Sequence, residues 1–200
     1  MIDNFELIST LLKYNSDDEF YFLQVIKRKK DQPEELKGSN NSARLIKSYY
    51  INSVEHLMSL KEEIIDICKV FNARAGINLN KRSYKKCALQ TVRTILDQMD
   101  NENYKSSRRA FNTVCGKYSI GDKHWILDYD GGELYEFEKV FLEKELYHFK
   151  PIGDKVLAYI PTRQGVHIIT KPFNLFEAED FLKELEISVH KNNPTILYIN

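Results

Sequence analysis

The sequence predicts an α+β fold, with an N-terminal α/β lobe over residues 1–123 and a β-α-β-β-α-β core over residues 124–200. Three observations carry this. Short aromatic and β-branched runs alternate along the chain with longer stretches of helical periodicity. The length, 200 residues, suits one domain or one with a second lobe. The composition is 42% hydrophobic, 29% charged and 12% aromatic, which excludes wholesale disorder and collagen-like repeats.

In chain order, Phe5, Ile8 and Leu12 share one helical face, so a short helix is expected over Asn4 to Lys13. Glu19 to Arg28 is aromatic and β-branched without a breaker and reads as a strand. Lys29 to Ser42, with Pro33 and Gly38, reads as a loop, and Arg44 to Ile51 as a strand. Ser53 has the chemistry of an N-cap before an amphipathic run to Phe71. Arg74 to Leu79 is expected as a strand, with helices from Ser83 to about Met99 and from Ser107 to about Lys117.

The remaining elements are more sharply marked. His124 to Asp130 reads as a strand, and Glu133 to Phe149 as a helix with Leu134, Phe137, Phe141 and Leu142 inward. Lys155 to Ile160 and Val166 to Thr170 are two strands joined by a turn ending at Gly165. A helix over Leu175 to Leu185, a short extended piece over Ile187 to His190 and a last strand over Thr195 to Ile199 complete the chain. This order is that of the split βαβ, ferredoxin-like or RRM-like sandwich, whose first and third strands lie side by side and antiparallel.

The longest apolar runs, such as Val156 to Ile160, fall far short of the roughly 20 residues that cross a membrane. The opening Met-Ile-Asp-Asn-Phe-Glu resembles no signal peptide, and three scattered cysteines without a C-x-x-C pair suit a reducing compartment. A cytoplasmic protein with no membrane partner is therefore expected. The 29 basic and 29 acidic residues cancel overall but not locally: residues 1–72 carry −2, residues 73–123 carry +7 and residues 124–200 carry −5. A basic stretch of this kind suits a polyanion such as a nucleic-acid strand, which makes Lys85, Lys86 and Arg93 candidates for contact with it; a merely solvated helix face is the alternative.

Alternation along the strand at 124–130 puts Trp125, Leu127 and Tyr129 on one face and Ile126, Asp128 and Asp130 on the other. On the strand at 166–170, His167 and Ile169 share a face, with Lys171 just beyond it. With these strands as neighbours, an open sheet face gathers two carboxylates, a histidine and, from adjoining loops, Arg163 and Lys171. An RNA-binding sheet of this type presents aromatics there for stacking; acids and a histidine suit divalent metal and phosphate instead. Asp130-Gly-Gly-Glu133 also fits a helix capping box, an exposed polar strand face would accommodate Asp128, and Gly165 fits plain hairpin chemistry.

Ile126-Leu127-Asp128-Tyr129-Asp130, followed by Gly165-Val166-His167 on a later strand, resembles the archaeo-eukaryotic primase superfamily, the catalytic domain of primases and primase-polymerases. Leu185-Glu186 is similar to that family's third, acidic motif. The resemblance spans about residues 74–199. It implies a template-directed nucleotidyltransferase in which Asp128, Asp130 and Glu186 hold Mg²⁺ or Mn²⁺ and His167 contacts the incoming nucleotide. Arg163, Lys171, Gly165, Arg74 and Arg82 are further candidates for nucleotide contact. It also implies single-stranded DNA and nucleoside triphosphates as partners, with a replication subunit or helicase beside them. The chain itself has no P-loop and no cysteine-based zinc module. A non-catalytic nucleic-acid-binding protein with an eroded fold, or a metal-dependent nuclease, are the competing readings.

Overall fold

A computed structural model describes residues 1–28 and 43–200, so the loop expected over 29–42 lies outside the described residues. The chain is mixed α+β, with two antiparallel sheets and, among the described residues, eight helices. The elements are β1 (Ile2–Asp3), α1 (Phe5–Ser9), β2 (Glu19–Arg28), β3 (Ala43–Ile51), α2 (Val54–Ser59) and α3 (Lys61–Phe71). They continue with β4 (Arg74–Ser83), α4 (Tyr84–Asp100), α5 (Tyr104–Ser107), α6 (Ala110–Lys117), β5 (Trp125–Tyr129) and α7 (Glu136–His148). The last are β6 (Val156–Pro161), β7 (Val166–Thr170), α8 (Leu175–Glu184), β8 (Ser188–His190) and β9 (Thr195–Ile199).

The first sheet has the order β1-β9-β4-β2-β3 and the second β6-β7-β5-β8. The expected antiparallel pairing of the strands at 124–130 and 166–170 is present, with Asp128 opposite His167. The fourth strand of that sheet differs from expectation. It is the three-residue β8, opposite Ile126 to Asp128, while β9 leaves for the first sheet and lies between β1 and β4. The expected division at residue 123 is therefore crossed by β9. All five of its residues are buried, so both of its faces are covered and its apolar run fits the middle of either sheet.

The helices cover the sheets where the apolar side chains point. Tyr21, Leu23 and Val25 of β2 and Ala75, Ile77 and Leu79 of β4 pack against Phe5, Ile8, Leu57, Ile64 and Cys68 from α1 to α3. In the second sheet Leu127, Val166 and Ile168 meet Leu142 and Leu146 of α7 and Ala178 and Leu182 of α8. Ile126, Ile160 and Ile169, on its opposite face, belong to the same core as the first sheet. The face expected to be open is thus closed by the other sheet along most of its area.

Local signals mostly act as expected. Ser53 and Ser83 cap α2 and α4 through the backbone N–H groups of His56 and Lys86. The run from Ser53 breaks at Leu60 into two helices. α7 starts at Glu136, where the Glu138 carboxylate accepts the Tyr135 N–H, so Asp130 is not its cap. Phe137 and Phe141, expected inward, are exposed, and Leu146 joins Leu142 in the core instead.

β4 has a second, polar face. Arg74, Asn78, Asn80 and Arg82 alternate with its core residues, and all four are buried. Arg82 is wholly enclosed. Its Nε donates to the Cys115 carbonyl (2.8 Å), Nη1 to Asn78 Oδ1 (2.9 Å) and the Asn80 carbonyl, and Nη2 to Asn192 Oδ1 (3.2 Å). Burial pushes its pKa down to about 10, so it stays charged at neutral pH. Asn192, in the turn between β8 and β9, also donates to the carbonyls of Gly116 and Lys117, while Asn80 binds the backbone of His124 in both directions. Arg82→Met leaves several buried acceptors unpaired and should cost about 3 kcal/mol or more. Urea denaturation reads this, and an unchanged midpoint would contradict the bracing role.

Candidate functional site

Where the two sheets diverge they leave an open cavity of about 390 Å³, lined by Arg28, Arg74, Asp128, Asp130, Thr162, Arg163, Gln164, His167, Ile196 and Ile199. Each side chain arrives there for a local reason. Asp128 lies on β5 and Asp130 one residue beyond its end, and both line the cavity between the sheets. His167 faces the same way because it pairs with Asp128 across the ladder. Arg74 lies opposite Ile26 and Ile199, and Arg28, two residues beyond Ile26, shares that face. Arg163 sits at the tip of the β6–β7 turn, which Thr162 tightens by accepting the N–H groups of Gly165 (3.1 Å) and Gln164 (3.4 Å).

Asp128 is the centre of the charged network. Its Oδ1 is 3.3 Å from His167 Nε2 and its Oδ2 is 3.6 Å from His190 Nε2. His167 Nδ1 lies 2.9 Å from the Thr195 hydroxyl of β9. Burial holds the His167 pKa below the usual histidine value; Asp128 opposes the shift and His190 adds to it. A neutral ring that accepts the Thr195 hydroxyl at Nδ1 carries its proton on Nε2, the nitrogen 3.3 Å from Asp128. Three arginines face two carboxylates in the cavity, an arrangement that attracts an anion while keeping two oxygen donor groups for a cation.

The expected site residues divide into two groups. Asp128, Asp130, His167, Arg163 and Arg74 come together in the cavity. Arg82 does not: eight residues along β4, about 26 Å, separate it from Arg74, and its donors brace the protein interior. Lys171 is exposed beyond the opposite end of β7 from Val166, about 13 Å along the strand from His167. Glu186 is exposed in the turn after α8 with φ 54° and does not line the cavity. Lys85, Lys86 and Arg93 lie on α4, which starts beyond the end of β4 far from Arg74.

Two participants were not foreseen. Arg28 ends β2, and its signal was only its place at the end of a predicted strand. His190 carried a clearer one: with Ile187 to His190 beside β5, alternation brings His190 to the face of Asp128.

The donor set suits a hard divalent cation in part. Asp128 and Asp130 supply oxygen ligands on one face, leaving positions for water and phosphate, and the two histidines beside Asp128 are compatible with Mn²⁺. Glu186 does not add a third acid. Among the described residues no group of three or more His, Cys, Asp or Glu side chains is arranged to hold a metal ion.

Gly165 contributes by having no side chain. A Cβ there would overlap the Tyr129 carbonyl and stand 3.0 Å from the Asp130 Cα, so the β6–β7 turn lies directly on the end of β5. Comparison with protein-family models, curated proteins and solved structures returned no match. Gly165→Ala must push this turn away from Asp130 and should destabilise the protein by about 1–3 kcal/mol. A denaturation midpoint equal to that of the unmodified protein would contradict the close approach.

Proposed function

We propose that the cavity is the active site of a template-directed nucleotidyltransferase, a primase or primase-polymerase joining nucleotides on single-stranded DNA. The observation that carries the reading is the pair Asp128, on β5, and Asp130, just past its end, both lining a cavity walled by Arg28, Arg74 and Arg163. The order of motifs along the chain supports it. So does the strand order β6-β7-β5-β8, which is that expected of a ferredoxin-like, RRM-like core with α7 and α8 as crossovers.

In this reading Asp128 and Asp130 hold Mg²⁺ or Mn²⁺, which would supply charge neutralisation at the reacting phosphate. Arg163, Arg74 and Arg28 bind and orient the triphosphate through charge-assisted hydrogen bonds. His167, held by Thr195, orients Asp128 and presents its ring edge to the phosphates. His190 restrains the second oxygen of Asp128. With Glu186 turned away, two protein carboxylates hold the cation and the remaining positions fall to water and substrate oxygens.

Incorporation of labelled nucleotide on single-stranded DNA, with and without a primer, tests the reading. Asp128→Ala should abolish incorporation while the circular dichroism spectrum stays unchanged, because its side chain lines the cavity outside the apolar core. Full activity in that folded variant would overturn the assignment. DNA cleavage that Asp128→Ala removes, with no extension, would make the site a nuclease. Salt-sensitive DNA binding with neither reaction would leave an eroded binding protein. His167→Ala should raise the nucleotide KM by about tenfold or more, and steady-state kinetics with an unchanged KM would remove its phosphate role.

A further inference from the structure

α4 keeps a mainly polar face inward. That face carries Cys87, Gln90, Thr91, Thr94 and Gln98 with Tyr84 and Ile95, and of these only Cys87 is fully buried. Thr91 and Thr94 donate back to carbonyls of their own helix, those of Cys87 and Gln90, and the buried Gln98 Oε1 has no hydrogen-bond partner. The apolar stripe points the other way. Leu89, Val92, Leu96 and Met99 are each 47–57% exposed. Their spacing of three, four and three residues is the a/d repeat of a helix that pairs with another helix. An amphipathic helix normally buries that stripe.

The charges beside the stripe are segregated along the helix. Lys85 and Lys86 lie at its start, Arg93 at its middle, and Asp97, Asp100 and the following Glu102 toward its end. Two copies aligned head to tail set Leu89 against Met99 and Val92 against Leu96. The same alignment brings Lys86 near Asp100 of the other copy. Arg93 then approaches its own symmetry mate near the axis, with Asp97 one turn along its helix to offset the repulsion. Antiparallel helix dipoles also favour the arrangement. A parallel pairing would instead set Arg93 and Asp100 beside the uncharged Ala88 and Ile95 of the other copy and gain no charge complementarity.

We propose that the exposed stripe of α4 is a self-association surface, on which a second copy of this chain docks through its own α4 in antiparallel orientation. The seam is short, since 17 residues span about 25 Å, so the association is expected to be reversible and concentration-dependent. It is independent of the activity assigned to the cavity.

Sedimentation velocity of the full chain from about 1 to 200 μM tests this, a range that spans the affinity expected for a small interface. The expected result is a mass that climbs from the 23.5 kDa monomer toward twice that value. Leu96→Glu should raise the dissociation constant at least tenfold, and Val92→Lys reads the same seam should the first variant fold poorly. Lys86→Glu should weaken the dimer several-fold and Lys86→Glu with Asp100→Lys should restore it, because only the antiparallel register exchanges those two positions. A monomer across the whole range, or a dimer indifferent to Leu96→Glu, overturns the proposal. An unchanged mass in Lys86→Glu together with weaker, less salt-sensitive binding of single-stranded DNA assigns the helix to template instead and also overturns it.

Discussion

The guanidinium of Arg82 organises the junction between the two sheets. A buried arginine is tolerable only when its donors are used, and here they are shared among the carbonyls of Cys115 and Asn80 and the side chains of Asn78 and Asn192. Those acceptors belong to α6, to β4 and to the turn where the chain passes from the second sheet to the first. Asn80 extends the network to His124 at the entry to β5 and to Lys191 after β8. One buried charge thereby fixes where β5 begins and where β9 departs. The angle between the sheets, and with it the cavity, follows from that.

The cavity's chemistry depends on this arrangement because neither sheet contains the site alone. β5, the residue after its end and β7 supply Asp128, Asp130 and His167, while Arg28 and Arg74 come from the facing sheet. β9 links the two: it is a central strand of the first sheet, yet its Thr195 hydroxyl holds the imidazole of His167 in the second. Asn4 adds a tether at the same seam, donating to the carbonyls of Pro161 and Ile196. Moving the sheets apart by even a small amount would release the histidine, and with it one of the two restraints on Asp128.

Much of this was legible in the chain, and the failures have definite causes. The pairing of Asp128 with His167 followed from alternation on two clear strands. β9 went to the wrong sheet because Thr-Ile-Leu-Tyr-Ile is apolar at almost every position and carries no alternation to distinguish its faces. β8 has three residues, too few for a pattern, so His190 was left without a role. Arg82 pairs with Arg74 as a candidate nucleotide contact because both flank Asn78-Leu79-Asn80; the polar alternation of Asn78, Asn80 and Arg82 along β4 is the sign of the buried polar face that holds it instead. Phe137 and Phe141 repeat at helical spacing, but Leu142 and Leu146 offer the same spacing one position round and fill the core. Glu186 lost its place when the chain turned through a left-handed residue before β8.

The position of β9 also sets the order in which the molecule can assemble. Ile2 pairs with Ile199 and Arg74 with Ile199, so the first sheet joins its earliest strand to β4 only through the last one. During synthesis β2, β3 and β4 can form a meander with their helices, and the second sheet can follow, while β1 waits beside an unfilled gap. Contacts of such large sequence separation form slowly, since the intervening chain must first be ordered. A nascent polypeptide is therefore catalytically silent, on the nucleotidyltransferase reading, until residues 195–199 have left the ribosome and closed the sheet.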